Sequence, residues 1–357
     1  MPIPRSELVD QSEPGLYHCI SRCVRRAYLC GDGYEHRREW IERRLEELSS
    51  IFAIDVVAYV VLHNHLHTLL WTDPDRASAW SDREVARRWF ALFPKSAAVA
   101  NDLDASIARA VRSRKRIRTW RARLTNLSWM MRCLKEPLAR LANHEEDSSG
   151  AFWEGRFKSY HVCDEAGALT CAVYIDLNVI HAGLARTPEE SDYTSVQARI
   201  RLRKRFEQQV RAASSSSATS SEEGATSPET TTARSAAQPP SHRHTLRHPE
   251  DGLWLTPLGD DGKAAGRRSL FGMGIDAYLS LVDAMGRIVR ADKRGAIPAD
   301  SRPILERLGL DCESWVTAVT QSVRRMVGTT VGVTSSLVRE AKRRGRTTVK
   351  NPFMSIG

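Results

Sequence analysis

The chain has 357 residues, of which 41% are hydrophobic and 27% charged, an ordinary globular balance long enough for two domains. Its net charge of +10 points to a polyanionic partner. No apolar run approaches the roughly 18 residues needed to cross a bilayer, so nucleic acid is a better expectation than a membrane. The seven cysteines (Cys19, Cys23, Cys30, Cys133, Cys163, Cys171 and Cys312) form no CxxC pair, and MPIPRSELVDQSEPG has no hydrophobic signal region. Reduced thiols in a cytoplasmic, nucleoid-associated protein are therefore expected.

In chain order, LYHCISRCV (16–24) has strand composition. EHRREWIERRLEELSSIF (35–52) sets Ile41, Leu45, Leu48 and Phe52 at helical spacing, which predicts an amphipathic helix. IDVVAYVVL (54–62) and HLHTLLW (65–71) predict a hairpin with Asn64 near its turn. Helices are expected within 81–93 and 105–123, and again over 124–142, where Pro137 predicts a kink or break. FWEGRFKSYHV (152–162) reads as a strand or hairpin. Asp164 can cap a following helix that runs to about residue 182, with Gly183 as its stop. This alternation predicts an α+β fold, a ferredoxin-like antiparallel sheet with helices on one face.

The Ser, Thr, Ala and Pro-rich segment 211–250 is too poor in large apolar side chains to order itself, and predicts a linker. It divides a domain over 1–210, with a polar insertion at about 80–123, from a small, mainly helical, basic domain over 251–357. In the latter, 275–289 and 312–327 have helical periodicity, and KRRGR (342–346) forms a basic cluster.

Within VLHNHLHTLLW (61–71), His63, His65 and His67 alternate. On a strand this spacing puts all three imidazoles on one face. They are either core histidines with satisfied hydrogen bonds or ligands of a divalent metal, because neutral imidazoles can converge on an ion in front of a sheet. The helix expected after Asp164 carries a second stripe, Tyr174, Asn178 and His181, beside its apolar face. Tyr174 is either an edge-of-core residue or a nucleophile with an amide ligand, Asn178, one turn away.

RSRKRIRTWRAR (112–123) has seven basic residues in twelve. It is either a solvated helix face or a phosphate-tracking segment, with Arg118 as a phosphate contact and Trp120 as a base-stacking platform. Arg156 and Lys158, before the tyrosine helix, and Arg22, Arg25 and Arg26, at and after the end of the first strand, are further basic candidates for contacting nucleic acid.

HNHLH, followed by FWEGRFKSYHV and then YIDLNVIHAGLA, resembles the single-tyrosine HUH transposases, in particular the REP-associated tyrosine transposase branch. His65-Leu66-His67 matches the His-hydrophobic-His motif, and Tyr174-Ile-Asp-Leu-Asn178 matches the tyrosine helix. YHCISRCVRRAYLC and DYTSVQARI (192–200) also look familial, so the resemblance spans roughly 14–200. The chain departs from the pattern in having His63, Val179 where proline is usual, and the long insertion.

The resemblance implies an HUH endonuclease domain that cleaves and rejoins single-stranded or hairpin DNA through a 5′-phosphotyrosine on Tyr174. It implies Mg²⁺ or Mn²⁺ held by His65, His67 and Asn178. The phenol proton could leave to the metal, a water, His181 or His161; His18 on the first strand could sit in the sheet near the site, and reads first as a structural residue there. Monomer and homodimer both stay open. The rival readings are a DNA-binding protein without cleavage and a zinc hydrolase using His63, His65 and His67, which would lack an evident glutamate base.

Overall fold

The computed structural model describes residues 9–93, 102–205, 208, 254–259, 271–289, 292–307, 330–331 and 339. The linker, the helix expected at 312–327 and the KRRGR cluster lie outside them.

Among the described residues, five strands form one sheet: β1 (Gly15–Arg22), β2 (Ile54–Val61), β3 (His65–Thr72), β4 (Lys158–Val162) and the two-residue β5 (Thr330–Val331), in the order β2-β3-β1-β4-β5. The first four pair antiparallel, and β5 joins β4 in parallel. The α+β class and the antiparallel sheet are as the alternation predicts.

The helices, however, cover both faces of the sheet, not one. Period-2 alternation explains why both can be apolar: along β3, Leu66 and Leu70 enter one cluster while Leu69 enters the other. The first face is covered by α1 (His36–Ile51), α3 (Asp82–Leu92), α4 (Leu103–Val111), α5 (Arg114–Leu124) and α6 (Leu127–Glu145), with the short α2 (Pro74–Ser78) leading in. α6 runs through Pro137, so of the kink or break expected there the break does not occur. The polar insertion is thus a helical part of this layer, anchored by Val85, Trp89, Ile107, Ile117 and Leu124.

The second face is covered by α7 (Glu165–Asp176), α8 (Asn178–His181), α9 (195–205) and α10 (Ile275–Gly286). The Asp164 side chain caps α7 by accepting from Gly167 N at 2.8 Å, and Gly183 ends the segment in a left-handed conformation at φ 72°. One residue, Leu177, separates α7 from α8 but keeps right-handed helical angles, so the direction of the helix carries across.

Residues expected to form a separate C-terminal domain contribute to this second layer. Thr256 N donates to Val56 O at 2.9 Å, and Leu279, Val282 and Ile297 are buried in the same cluster as Val173 and Ile175. Buried Arg199 on α9 donates to both Val57 O (2.9 Å) and Thr256 O (3.0 Å), tying that segment to the sheet. Among the described residues, no helix is long and apolar enough to cross a membrane.

Candidate functional site

The sheet register assembles the site. Ile20 on β1 lies opposite His67, and His18 lies opposite Leu69, so His18 and His67 are diagonal neighbours on the second face. His18 Nε2 and His67 Nδ1 are 2.9 Å apart, with the rings stacked at 5.1 Å. The ring of His65 meets that of His67 edge-on at 5.0 Å. α7 packs over this face and brings the Tyr174 ring to 6.0 Å from His67 and 6.3 Å from His18. Tyr160, paired with His18 across β4, completes the wall at 6.0 Å.

His63 does not join them. β3 begins at His65, and residues 62–64 turn the hairpin, so the alternation assumed for three imidazoles holds for only two. The His63 ring packs edge-on against Tyr28 at 5.6 Å. His161 is also turned away, stacked on Tyr17 at 5.2 Å, on the face of β4 opposite Tyr160. Tyr174, Asn178 and His181 are half-buried along one stripe of α7 and α8, and the His181 carbonyl accepts from Arg294 N at 3.1 Å.

Burial keeps the imidazoles neutral. It lowers His18 to about 3, and burial with Arg22 nearby lowers His65 to about 4. His67 is pushed well below the ordinary range by burial, then by His18, His65 and Arg22. Neutral imidazole is the form that ligates metals. His18 occupies Nδ1 of His67, and Asn64 Oδ1 occupies Nδ1 of His65 at 2.6 Å, so Nε2 is the nitrogen each ring has left for a ligand. Among the described residues, no group of three or more His, Cys, Asp and Glu is arranged to hold a metal ion. An ion bound by His65 and His67 would therefore need a further donor of another type, and Asn178, on the stripe of Tyr174, carries an amide oxygen of that type. The donor set fits a divalent cation.

Basic residues gather at the His65 end of the face. Arg22 pairs with His65 in register, and Lys158 begins β4 opposite Ile20; both are exposed. Exposed Arg25 and Arg26 follow in a 3₁₀ turn, and exposed Arg156 lies in the loop that Glu154 N ties to Arg22 O at 2.9 Å. Arg118 and Trp120 are elsewhere, on α5 in the opposite layer. Trp120 is half-buried and stacked on Trp89 at 5.3 Å and 9°, which turns one face of its ring into the helical layer. Arg118 is exposed beside it.

Two contributors come from beyond residue 270. Lys293 Nζ stands 6.0 Å from the centroid of the Tyr174 ring. Tyr278 on α10 donates to Asp176 Oδ2 at 2.5 Å, while Ser195 and Val196 N donate to Oδ1. Fully buried Asp176 is raised to about 6 by desolvation, against the opposing effect of these donors. It ties the tyrosine helix to both α9 and α10. Their sequence separation from Tyr174 left no motif from which these contributors could be found.

Among solved structures, one of a REP-associated tyrosine transposase bound to a REP hairpin matches with a TM-score of 0.34 and 12% identity, over 56% of this chain and 86% of that one. That likeness is partial. No protein-family model and no curated protein matches the chain.

Proposed function

We propose that the protein is a metal-dependent nickase and strand transferase for single-stranded or hairpin DNA, with Tyr174 as nucleophile. The observation that carries this reading is the 6.0 Å approach of the Tyr174 and His67 rings, contributed by elements far apart in sequence. A tyrosine beside paired neutral imidazoles, with an amide one turn away and cations at one edge, suits attack on a phosphodiester. It also accounts for the motif combination His65-Leu66-His67 and Tyr174-x-x-x-Asn178.

In this reading His65, His67 and Asn178 hold Mg²⁺ or Mn²⁺, which when bound polarises the scissile phosphate. Tyr174 Oη attacks phosphorus and loses its proton. The new Oη–P bond forms as the bond from phosphorus to the 3′ oxygen breaks, and that oxygen leaves as a 3′-hydroxyl after taking up a proton. The resulting 5′-phosphotyrosine keeps a phosphodiester, so a 3′-hydroxyl of another strand can reverse the step without ATP. Arg22 and Lys158 guide the backbone toward His65, with Arg25, Arg26 and Arg156 extending the cationic edge.

The test is incubation of the full chain with labelled hairpin DNA bearing single-stranded flanks, with Mn²⁺, followed by denaturing electrophoresis. The expected result is a covalent protein–DNA adduct that is lost in both Tyr174→Phe and His65→Ala. Binding without an adduct would instead favour a DNA-binding protein that does not cleave.

A further inference from the structure

We infer that Asn64 is a positioning residue for His65, fixing the ring proton on Nδ1 so that Nε2 offers a lone pair on the face shared with His67 and Tyr174. This rests on the metal-site reading above for its purpose, but not for its geometry. Asn64 Nδ2 donates to Arg26 O at 3.0 Å, which settles which end of the amide is which. The amide oxygen therefore faces His65 Nδ1 at 2.6 Å. An amide oxygen has no hydrogen to give, so the ring nitrogen must be the donor. A neutral imidazole carries one ring proton, and Nε2 is left bare. An outer residue that fixes a ligand's tautomer in this way typically sets metal affinity as well as ring orientation.

The backbone around Asn64 is built to hold this chain of bonds. Arg25 and Arg26 both adopt left-handed conformations (φ 53° and 57°), which side-chain-bearing residues rarely do. That turn delivers the Arg26 carbonyl to the Asn64 amide. The hairpin turn itself is anchored by main chain: Cys23 N donates to Asn64 O, and Cys30 N to His63 O, each at 2.8 Å. Replacing the Asn64 side chain leaves these anchors in place.

The experiment uses the full chain labelled with ¹⁵N-histidine, with His65→Gln to assign the resonance, and Mn²⁺ as the metal probe. In the metal-free wild type, the ring ¹⁵N shifts of His65 should report the Nδ1–H form; an Nε2–H form overturns the inference. Asn64→Ala should release the tautomer and weaken Mn²⁺ binding, followed by electron paramagnetic resonance, by about tenfold or more. Asn64→Asp keeps an acceptor against Nδ1 but loses the donor to Arg26, and should match or exceed wild-type affinity. Unchanged affinity in Asn64→Ala, or equal losses in both variants, overturns the inference, the latter by making Asn64 a turn anchor. A wild type that binds no Mn²⁺ counts against the metal site, while the metal-free tautomer still decides what Asn64 does.

Discussion

His18 Nε2 meets His67 Nδ1 at 2.9 Å in a pair that is almost wholly removed from water. Both imidazoles have folded-state pKa values below the ordinary 6.5, as does His65. Below about pH 6.5 the unfolded chain therefore binds protons that the folded chain does not. The stabilisation is fully present above 6.5 and is lost as pH falls towards the folded values. For His18, lowered to about 3, the loss is about 2 kcal/mol at pH 5. Urea unfolding at pH 7.5 and pH 5 should show a narrower stability gap in His18→Leu than in wild type, and equal gaps would contradict it.

The Trp120–Trp89 stack separates two roles for the basic helix. A half-buried indole in the helical layer predicts that Trp120→Ala costs roughly 2–4 kcal/mol of stability. At a temperature where the variant is still folded, its affinity for single-stranded DNA should be close to wild type. Arg118→Ala, exposed on the same helix, should leave stability within about 0.5 kcal/mol. A Trp120→Ala variant that keeps its melting temperature but loses DNA affinity would restore the base-stacking role.

Local signals read well in this chain because local physics decides them. The Asp164 cap, the Gly183 stop and the apolar stripes of α1 and α7 each depend on neighbours within a few turns. That His65 and His67 share a face was legible because alternate residues of a strand do so; the approach of Tyr174 to them is long-range and no spacing states it. The alternation alone also took in His63, but the hairpin expected with its second strand from His65 and its turn near Asn64 is the one observed, and that turn sends His63 elsewhere. The second helical layer was illegible for another reason. It is completed from far along the chain, by Tyr278 and Leu279, whose helical periodicity looks the same whether α10 packs on itself or on a sheet. His18 needed the β1–β3 register, which no local pattern states.

Lys293 stands over Tyr174 from that distant segment. Under the proposed chemistry, a cation 6.0 Å from the ring centroid favours the phenolate that attacks and the charge that builds on phosphate. Its side chain is 24% exposed and lies 3.7 Å from Asp292, so solvent and the carboxylate both weaken the effect. Lys293→Met is expected to slow adduct formation about tenfold, less than the loss usual for a fully buried transition-state donor. Lys293→Arg should recover most of it. Single-turnover cleavage at saturating DNA measures this, and equal rates in all three proteins would remove Lys293 from the site.

Asp176 behaves opposite to the histidines as pH changes. Its folded value of about 6 lies above its ordinary 3.8, because burial penalises the carboxylate more than Ser195, Tyr278 and Val196 N relieve it. Its favourable contribution is complete below 3.8 and is lost as pH rises through 6, amounting to something on the order of 3 kcal/mol. Asp176→Asn keeps an acceptor for Ser195 and Val196 N, and its amide can donate to the Tyr278 hydroxyl. The variant should therefore gain stability relative to wild type between pH 4 and pH 7, where the buried carboxylate ionises. Parallel stability curves over that range would show that Asp176 is ionised throughout. A gain above pH 6 together with slower cleavage would mean that the buried carboxylate itself is kept, despite its cost in stability, because its charge, and not only the bonds that the amide retains, sets how the helix presents Tyr174 to His67.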